Sequence, residues 1–397
     1  MKTPNYKCGY RGKLMRLMLT SGGVSYRTLD LMSGERLMYV RKLRSMNEEG
    51  IVRVNRVGKY YVGVLDSFDD KSEEYMDYYP GYRGNYIRYG RDRASDSGKY
   101  RGKGNRSKAV KAFRHMEVVT MMEGGEINVY PDEKPMLYFE NSTIPQGAYF
   151  YSDTEVKTVS GFAPKIKDKE NGNDSITVTS RAQGILTSDG GDYIVYHTDN
   201  QRLTWASSQE YQMQYCTARL LGLKCETKHR MEEISNCIIL GTDTDVFNDM
   251  LNSPISTNKS GALLNVNNGY KNTYVIPISA EGKSFLNFMT RLNWQNQLRE
   301  FYLSDKKINT ASSSSVYDAA DKGERILLFC NANITRLNKF LLGTDFGDDS
   351  IEYSVYCFDY QKDFVIKAVD GRARVLSTPY EDFAISMNLP YVKKAKG

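Results

Sequence analysis

The spacing of apolar and polar residues over the first 65 positions predicts three helices followed by two strands. Glycines separate these elements, and Ser25 and Ser33 stand where helix N-caps are expected. The two strands alternate in polarity around a short turn with a basic tip, which is typical of a β-hairpin. The predicted helices are residues 10–20, 26–32 and 35–49, and the predicted strands are residues 51–55 and 60–65.

The third of these helices is amphipathic, with one apolar face and one basic face. The residues expected on its inner face are Leu37, Val40, Leu43 and Met46. Its acidic residues lie near the ends, so the middle of the helix and the following hairpin carry net positive charge. Such a surface can neutralise phosphates, as nucleic-acid binding requires.

Three helices followed by a hairpin are the elements of a winged helix-turn-helix, which we assign to residues 10–66. In that module the third helix enters the DNA major groove while the wing touches the backbone. Winged helices also act as protein-docking scaffolds that bind no nucleic acid, and this alternative stays open, although the charge favours DNA. The expected DNA contacts are Arg36, Tyr39, Arg41, Lys42 and Arg44 on the helix and Arg53, Arg56 and Lys59 on the wing.

Residues 67–106 are interpreted as a linker that becomes basic and rich in glycine and tyrosine after Gly81. Arginine can bind phosphate and tyrosine can stack on bases, so the linker is a candidate DNA-touching arm. A solvated connector is the alternative interpretation. The arm residues expected to contact DNA are Arg83, Arg88, Arg91, Arg93 and Arg101.

The rest of the chain predicts further mixed structure, and the expected fold class is an α+β or α/β multidomain protein. Residues 107–230 begin with a helix and contain a hairpin, 182–187 with 193–198, and residues 231–390 alternate short apolar strands with helices. This alternation favours parallel strand pairing. No tandem repeat is visible.

Composition agrees with a globular protein of several domains. The 397 residues are 40% hydrophobic and 26% charged, with a net charge of +6. No N-terminal apolar leader and no membrane-length apolar run is found, so we expect a cytoplasmic protein without a membrane partner. The six cysteines form no CxxC pair and the three histidines lack ligand spacing, so we expect neither metal nor cofactor.

A search for catalytic motifs excludes several enzyme classes. The histidines are too isolated for a metal-dependent relaxase, no recombinase box follows His229-Arg230, and no GxSxG elbow occurs. The remaining enzymatic alternative is a metal-dependent nuclease that uses Glu155, Asp189 and Asp192. These acids lie in polar turns or beside Lys157, where solvent exposure alone explains them.

The chain resembles the replication-relaxation family, winged-helix proteins of bacterial plasmids and integrative elements. The resemblance is carried by residues 14–50, the helix around His115-Met116, and the segments Ser180–Leu186 and Asp192–His197. It implies a second domain with a restriction-nuclease-like fold, in which an Asp on one strand and Glu-x-Lys on the next hold Mg²⁺. Here Gly184 and Tyr196 fall near those two positions, so the resemblance implies a retained fold without catalysis.

These expectations combine into one hypothesis about function. We expect a DNA-binding protein of a bacterial mobile element, acting in replication, transfer or their regulation. Its partners would be double-stranded DNA and replication or conjugation proteins of the same element.

Overall fold

The structure is a computed structural model in which the chain divides into two compact units, Met1–Met136 and Leu137–Gly397. The fold is mixed α and β, and its larger sheets combine parallel with antiparallel pairs. The described residues are 9–32, 34–57, 60–65, 103–138, 144–160, 180–199, 205, 207–221, 234, 236–242, 244–252, 269–304, 309–310, 316–321, 323–345 and 350–391. The predicted linker 67–106 therefore lies outside them up to residue 102.

The first unit combines helices with one small antiparallel sheet. Its helices are α1 (Gly9–Ser21), α2 (Arg36–Glu48) and α3 (Lys103–Gly124). Its strands are β1 (Val24–Ser25), β2 (Val52–Val57) and β3 (Tyr60–Leu65), in the order β1-β3-β2. The predicted third helix and hairpin are thus confirmed to within two residues at each end.

The second predicted helix, 26–32, is wrong for most of its length. Only a single 3₁₀ turn, Leu29–Leu31, is present. Val24 and Ser25 pair with β3 instead, and the Tyr26 amide donates to the Tyr61 carbonyl at 2.9 Å. These backbone groups form the hydrogen bonds of the sheet. They are therefore not available to a helix, which can begin only after the paired residues.

The core of the first unit is built from α1, α2 and α3. On α2 the buried residues are Tyr39, Leu43 and Met46. Leu37, which we expected on this inner face, is instead 57% exposed. Phe113 and Met116 of α3 pack against β3, forming a cluster with Val62 and Val64, so α3 belongs to this unit rather than to a domain that starts at residue 107.

The segment after α3 is held by a buried arginine of α1. The Arg16 guanidinium pairs with Asp132 at 2.6 Å and Glu133 at 2.8 Å, and lies 3.8 Å from the centre of the Tyr130 ring. Two carboxylates compensate one guanidinium here, which satisfies a charge that would be costly to bury alone.

The second unit alternates strands and helices through most of its length. Its strands are β4 (Ala148–Ser152), β5 (Gly184–Ser188), β6 (Gly191–Asp199), β7 (Asn236–Gly241), β8 (Asn272–Pro277), β9 (Asn309–Thr310), β10 (Ala319–Asp321), β11 (Glu324–Leu328), β12 (Glu352–Phe358) and β13 (Arg374–Thr378). Its helices are α4 (Asp153–Ser160), α5 (Ser207–Leu220), α6 (Thr244–Asn252), α7 (Ala280–Met289), α8 (Trp294–Leu303), α9 (Ile334–Asp345), α10 (Lys362–Val369) and α11 (Tyr380–Ser386).

These strands form two five-stranded sheets with the same topology. One sheet has the order β4-β5-β6-β7-β8 and the other β13-β12-β11-β10-β9. In each, the first three strands along the chain pair antiparallel and the last two add in parallel. The expected parallel pairing of the C-terminal strands is confirmed, but β7 pairs with β6, so one sheet crosses the boundary predicted between residues 230 and 231.

The two sheets share one apolar core within this unit. The core includes Ile185 and Ile239 from the first sheet and Leu327 and Val355 from the second. The edge strand β8 of the first sheet also bonds to the segment that follows β11, since the Val275 amide donates to the Ala332 carbonyl at 2.9 Å. In the part of the chain that the structure describes, no helix is long and apolar enough to span a lipid bilayer.

Candidate nucleic-acid interface

The exposed side of α2 carries four cationic side chains. Arg36, Arg41, Lys42 and Arg44 are all exposed. Among the residues that the structure describes, no carboxylate forms an ion pair with any of them. Their charge therefore faces solvent and is available to an anionic ligand.

The start of α2 is fixed by the first residues of α1. The ring of Tyr10 lies edge-on to that of Tyr39, with centroids 4.8 Å apart, and the Glu35 amide donates to the Tyr10 hydroxyl at 3.2 Å. Gly34 adopts a φ of +116°, and a Cβ there would lie 2.9 Å from the Tyr10 ring. A glycine is thus needed for the close approach that orients α2.

At the other end of α2 an acidic residue is neutralised. Glu49 accepts from Arg11 at 2.8 Å and from the Ser45 hydroxyl at 2.8 Å. Arg11 belongs to α1, so this pair also ties the two helices together. Its effect is to reduce the negative charge beside the basic face.

Tyr39 was predicted to contact DNA, and this prediction is wrong for the described conformation. Its side chain is fully buried against Tyr10. Leu37 and Tyr39 both fit the apolar spacing of this helix. The Tyr39 ring lies in the core, whereas the Leu37 side chain is exposed. Tyr39 positions α2 and does not belong to its exposed face.

The hairpin contributes one described cation and one exposed aromatic ring. Arg53 on β2 is half-buried and Tyr61 on β3 is 53% exposed. Tyr26 lies edge-on to Tyr61. Burial raises the pKa of Tyr26, and the positive charge of Arg44 partly opposes that rise.

The remaining predicted contacts cannot be placed. The side chain of Arg56 and the whole of Lys59 lie outside the described residues, as do the arm residues Arg83, Arg88, Arg91, Arg93 and Arg101. The described part of the candidate interface therefore consists of α2 and the residues of the hairpin whose side chains are described.

The segment that leads into α2 is anchored to α3 by a buried carboxylate. Glu117 accepts from the Arg27 Nε at 2.7 Å and from the Ser25 hydroxyl at 3.2 Å, and also bonds to the Arg27 Nη2. The Arg27 guanidinium lies 5.1 Å from the centre of the Phe113 ring. This arrangement fixes the turn between β1 and α2, and hence the direction of the basic helix.

Gly184 and Tyr196 lie close together on neighbouring strands of the second unit. The family resemblance implies metal-binding acidic residues near these two positions, and neither residue is a metal ligand. Gly184 of β5 is paired with Val195, the neighbour of Tyr196 on β6. A Cβ at Gly184 would lie 2.2 Å from the Tyr151 carbonyl oxygen, so no carboxylate side chain fits there. The Tyr196 hydroxyl offers no negative charge, because burial raises its pKa well above the ordinary value.

A buried glutamate that sequence reasoning missed lies beside these positions. Glu210 on α5 accepts from Tyr196 at 2.7 Å, from the Ser180 hydroxyl at 2.8 Å and from the Arg181 amide at 3.0 Å. The Tyr196 hydroxyl also lies 2.6 Å from that of Tyr270. Both Glu210 oxygens are occupied by donors, as a structural carboxylate requires. Glu210 and Tyr196 lie on different elements and apart in the sequence, so local residue spacing does not predict this contact.

The alternative nuclease residues are not brought together. Glu155 accepts from the Ser152 amide at 2.8 Å, and Ser152 pairs with Gly184 at one end of the β4–β5 ladder. Asp192 accepts from the Thr187 hydroxyl at 2.5 Å, and Asp189 lies in the turn at the other end. Within the described ranges, no group of three His, Cys, Asp or Glu residues could hold a metal ion.

The chain matches no protein-family model, no curated protein and no solved structure.

Proposed function

We propose that this chain binds double-stranded DNA through a winged helix-turn-helix in its first unit. The observation that carries the proposal is the basic face of α2, Arg36, Arg41, Lys42 and Arg44, which has no carboxylate partner among the described residues. In the proposed complex α2 lies in the major groove, and its cations bind the phosphates on either side.

The order of elements supports this assignment. A helix, a short strand, a tight turn, the basic helix and a hairpin follow one another, and the small sheet has the order β1-β3-β2. The pairing of β1 with β3 fixes the turn before α2, while the hairpin begins directly after α2 ends. The hairpin would then lie beside the phosphate backbone when α2 occupies the groove.

We further propose that the arm assists DNA binding and that the second unit assembles with partners without catalysis. The arm arginines would add backbone contacts that raise affinity without changing sequence preference. The second unit would serve as an assembly platform, since Gly184 and Tyr196 supply no carboxylate to Mg²⁺. A role in the replication or transfer of a bacterial mobile element, with protein partners from that element, rests on the family resemblance described above.

Binding of a fluorescent duplex by the full chain tests the proposal. We expect anisotropy to rise with protein concentration at low salt, and the affinity to fall steeply as salt is added. A chain that binds no duplex at any salt concentration would contradict the proposal and favour a protein-docking scaffold.

A further inference from the structure

Leu37 is an apolar side chain in an unexpected place. It is the second residue of α2 and is 57% exposed, although its spacing along the helix suggested the core. Tyr39, Leu43 and Met46 fill the buried face instead. Leu37 therefore contributes little to the packing of the unit, and its exposed surface is unexplained by the fold.

The neighbours of Leu37 are cationic. Arg41 follows Leu37 by four positions and Arg44 follows Arg41 by three, which places all three on one stripe of the helix. Arg36 precedes it directly, and all these cations are exposed. The stripe thus presents an apolar group at the start of the helix with positive charge on both sides.

A thymine base in duplex DNA has the chemistry that complements this stripe. Its C5-methyl group is an apolar feature of the major groove, and the phosphates that flank it are anionic. The first residues of a helix docked in that groove are the ones that reach the base edges. Leu37 stands in that part of α2, while Arg41 and Arg44 lie one and two turns further along.

We propose that Leu37 is a specificity-determining residue that contacts the C5-methyl group of a thymine in the major groove. This inference rests on the proposed DNA-binding function and names the base that the helix reads. The surrounding arginines supply affinity for any duplex, and Leu37 supplies preference for duplexes that place a thymine opposite the start of α2.

Replacing thymine by deoxyuridine tests the contact, because deoxyuridine lacks only the methyl group. Duplexes preferred by the full chain are first selected from a randomised pool. Each thymine of a selected duplex is then replaced in turn by deoxyuridine, and the affinity is measured. We expect one replacement per bound unit to weaken binding about fourfold, the equivalent of ~0.8 kcal/mol for one buried methyl group.

The variant Leu37→Ala identifies the residue responsible. It should bind the thymine and deoxyuridine duplexes equally well while keeping the salt dependence of the original chain, since its cations are unchanged. Leu342→Ala is the matched control, because Leu342 is a 50% exposed leucine of a helix in the second unit. That control should retain the fourfold difference.

The possible results separate the two proposals. If the chain binds duplex DNA but no thymine replacement changes its affinity, or if Leu37→Ala retains the difference, the thymine contact is wrong and DNA binding stands. If selection yields no preferred sequence, the contact is equally wrong. If the chain binds no duplex at all, both the contact and the proposed function fall.

Discussion

The guanidinium of Arg27 makes a two-point ion pair with the carboxylate of Glu117, with the Nε to Oε1 distance at 2.7 Å. The carboxylate is fully buried, whereas the arginine side chain is 20% exposed. The pair joins the turn before α2 to α3, which is distant in sequence. The orientation of the basic helix thus depends on a contact outside the predicted winged-helix segment.

Arg27→Ala should destabilise the first unit substantially. The substitution leaves the Glu117 charge buried with only the Ser25 hydroxyl and its remaining neighbours to compensate it. We expect the free energy of unfolding to fall by about 3 kcal/mol, as measured by urea denaturation followed by circular dichroism. Lys367→Ala is the control, because its ion pair with Asp245 is exposed on both sides and should contribute less than ~1 kcal/mol. Equal effects of the two substitutions would refute the buried-pair argument.

Gly190→Ala should destabilise the second unit. Gly190 lies in the β5–β6 turn, and a Cβ there would lie 2.0 Å from the Met289 carbonyl oxygen. Since backbone must move to relieve this clash, we expect a loss of about 1–3 kcal/mol in urea unfolding. Gly343→Ala on α9 meets nothing within 4 Å and should be neutral or stabilising by up to ~1 kcal/mol. A Gly190→Ala protein as stable as the parent would show that the turn does not dock on this carbonyl.

Alkaline pH should destabilise the second unit through its buried tyrosines. Burial raises the pKa of Tyr193, Tyr196 and Tyr270 well above the ordinary value of about 10. Below pH ~10 these groups are protonated in both the folded and the unfolded chain, and their full contribution to the free energy of unfolding is present. Above it the unfolded chain loses protons that the folded chain keeps, so stability falls, by about 1.4 kcal/mol per pH unit for each group.

Urea unfolding between pH 9 and 11 measures this dependence, with tyrosinate absorbance as a second signal. Tyr270→Phe removes one of the titrating groups and should make the slope of stability against pH shallower. A stability that does not change over this range would show that these tyrosines ionise as readily in the folded chain as in the unfolded one.

Nuclease activity is expected to be absent. Glu155 and Asp192 lie at opposite ends of the antiparallel sheet formed by β4, β5 and β6. Both carboxylates already accept hydrogen bonds. Supercoiled plasmid incubated with an excess of the chain and Mg²⁺ or Mn²⁺ should stay uncut, because Glu155 and Asp192 do not come together to hold an ion that could activate water for attack on phosphate. Nicking that disappears in Glu155→Ala or Asp192→Ala would make the nuclease alternative the better account.

The sequence predicts α2 and the hairpin well because their signals are local. The apolar spacing through Leu43 and Met46 and the glycine after the helix are short-range features, and the structure places α2 at Arg36–Glu48. The burial of Tyr39 was missed because it depends on Tyr10, a residue of another helix. The second predicted helix failed for a related reason, since β1 pairs with a strand that follows much later in the chain.

Two local signals in the second unit were overlooked. The aromatic and β-branched residues between positions 147 and 159 favour one extended segment, but β4 ends at Ser152 and α4 begins at Asp153. Ser152 and Glu155 form the reciprocal bonds of a capping box, a pattern visible in the sequence Ser-Asp-Thr-Glu. The apolar spacing of residues 280–301 favours one continuous helix, but the left-handed backbone of Asn293 separates α7 from α8.

Other features have no sequence signal of their own. The two sheets share a strand order and pairing pattern although the chain shows no tandem repeat. Glu210 reaches Tyr196 and Ser180 through tertiary packing alone. Such contacts join elements far apart in the chain, so residue type and local spacing do not indicate them.

The salt dependence of duplex binding tests the central claim most directly. The logarithm of the binding constant is plotted against the logarithm of salt concentration for the full chain, for Arg41→Ala/Arg44→Ala, and for Lys339→Ala/Lys362→Ala. The last variant removes the same charge from exposed positions of the second unit. If α2 binds phosphates, the arginine variant should lose about two units of slope and the lysine variant none. Identical slopes for all three proteins would remove α2 from the interface and contradict the account.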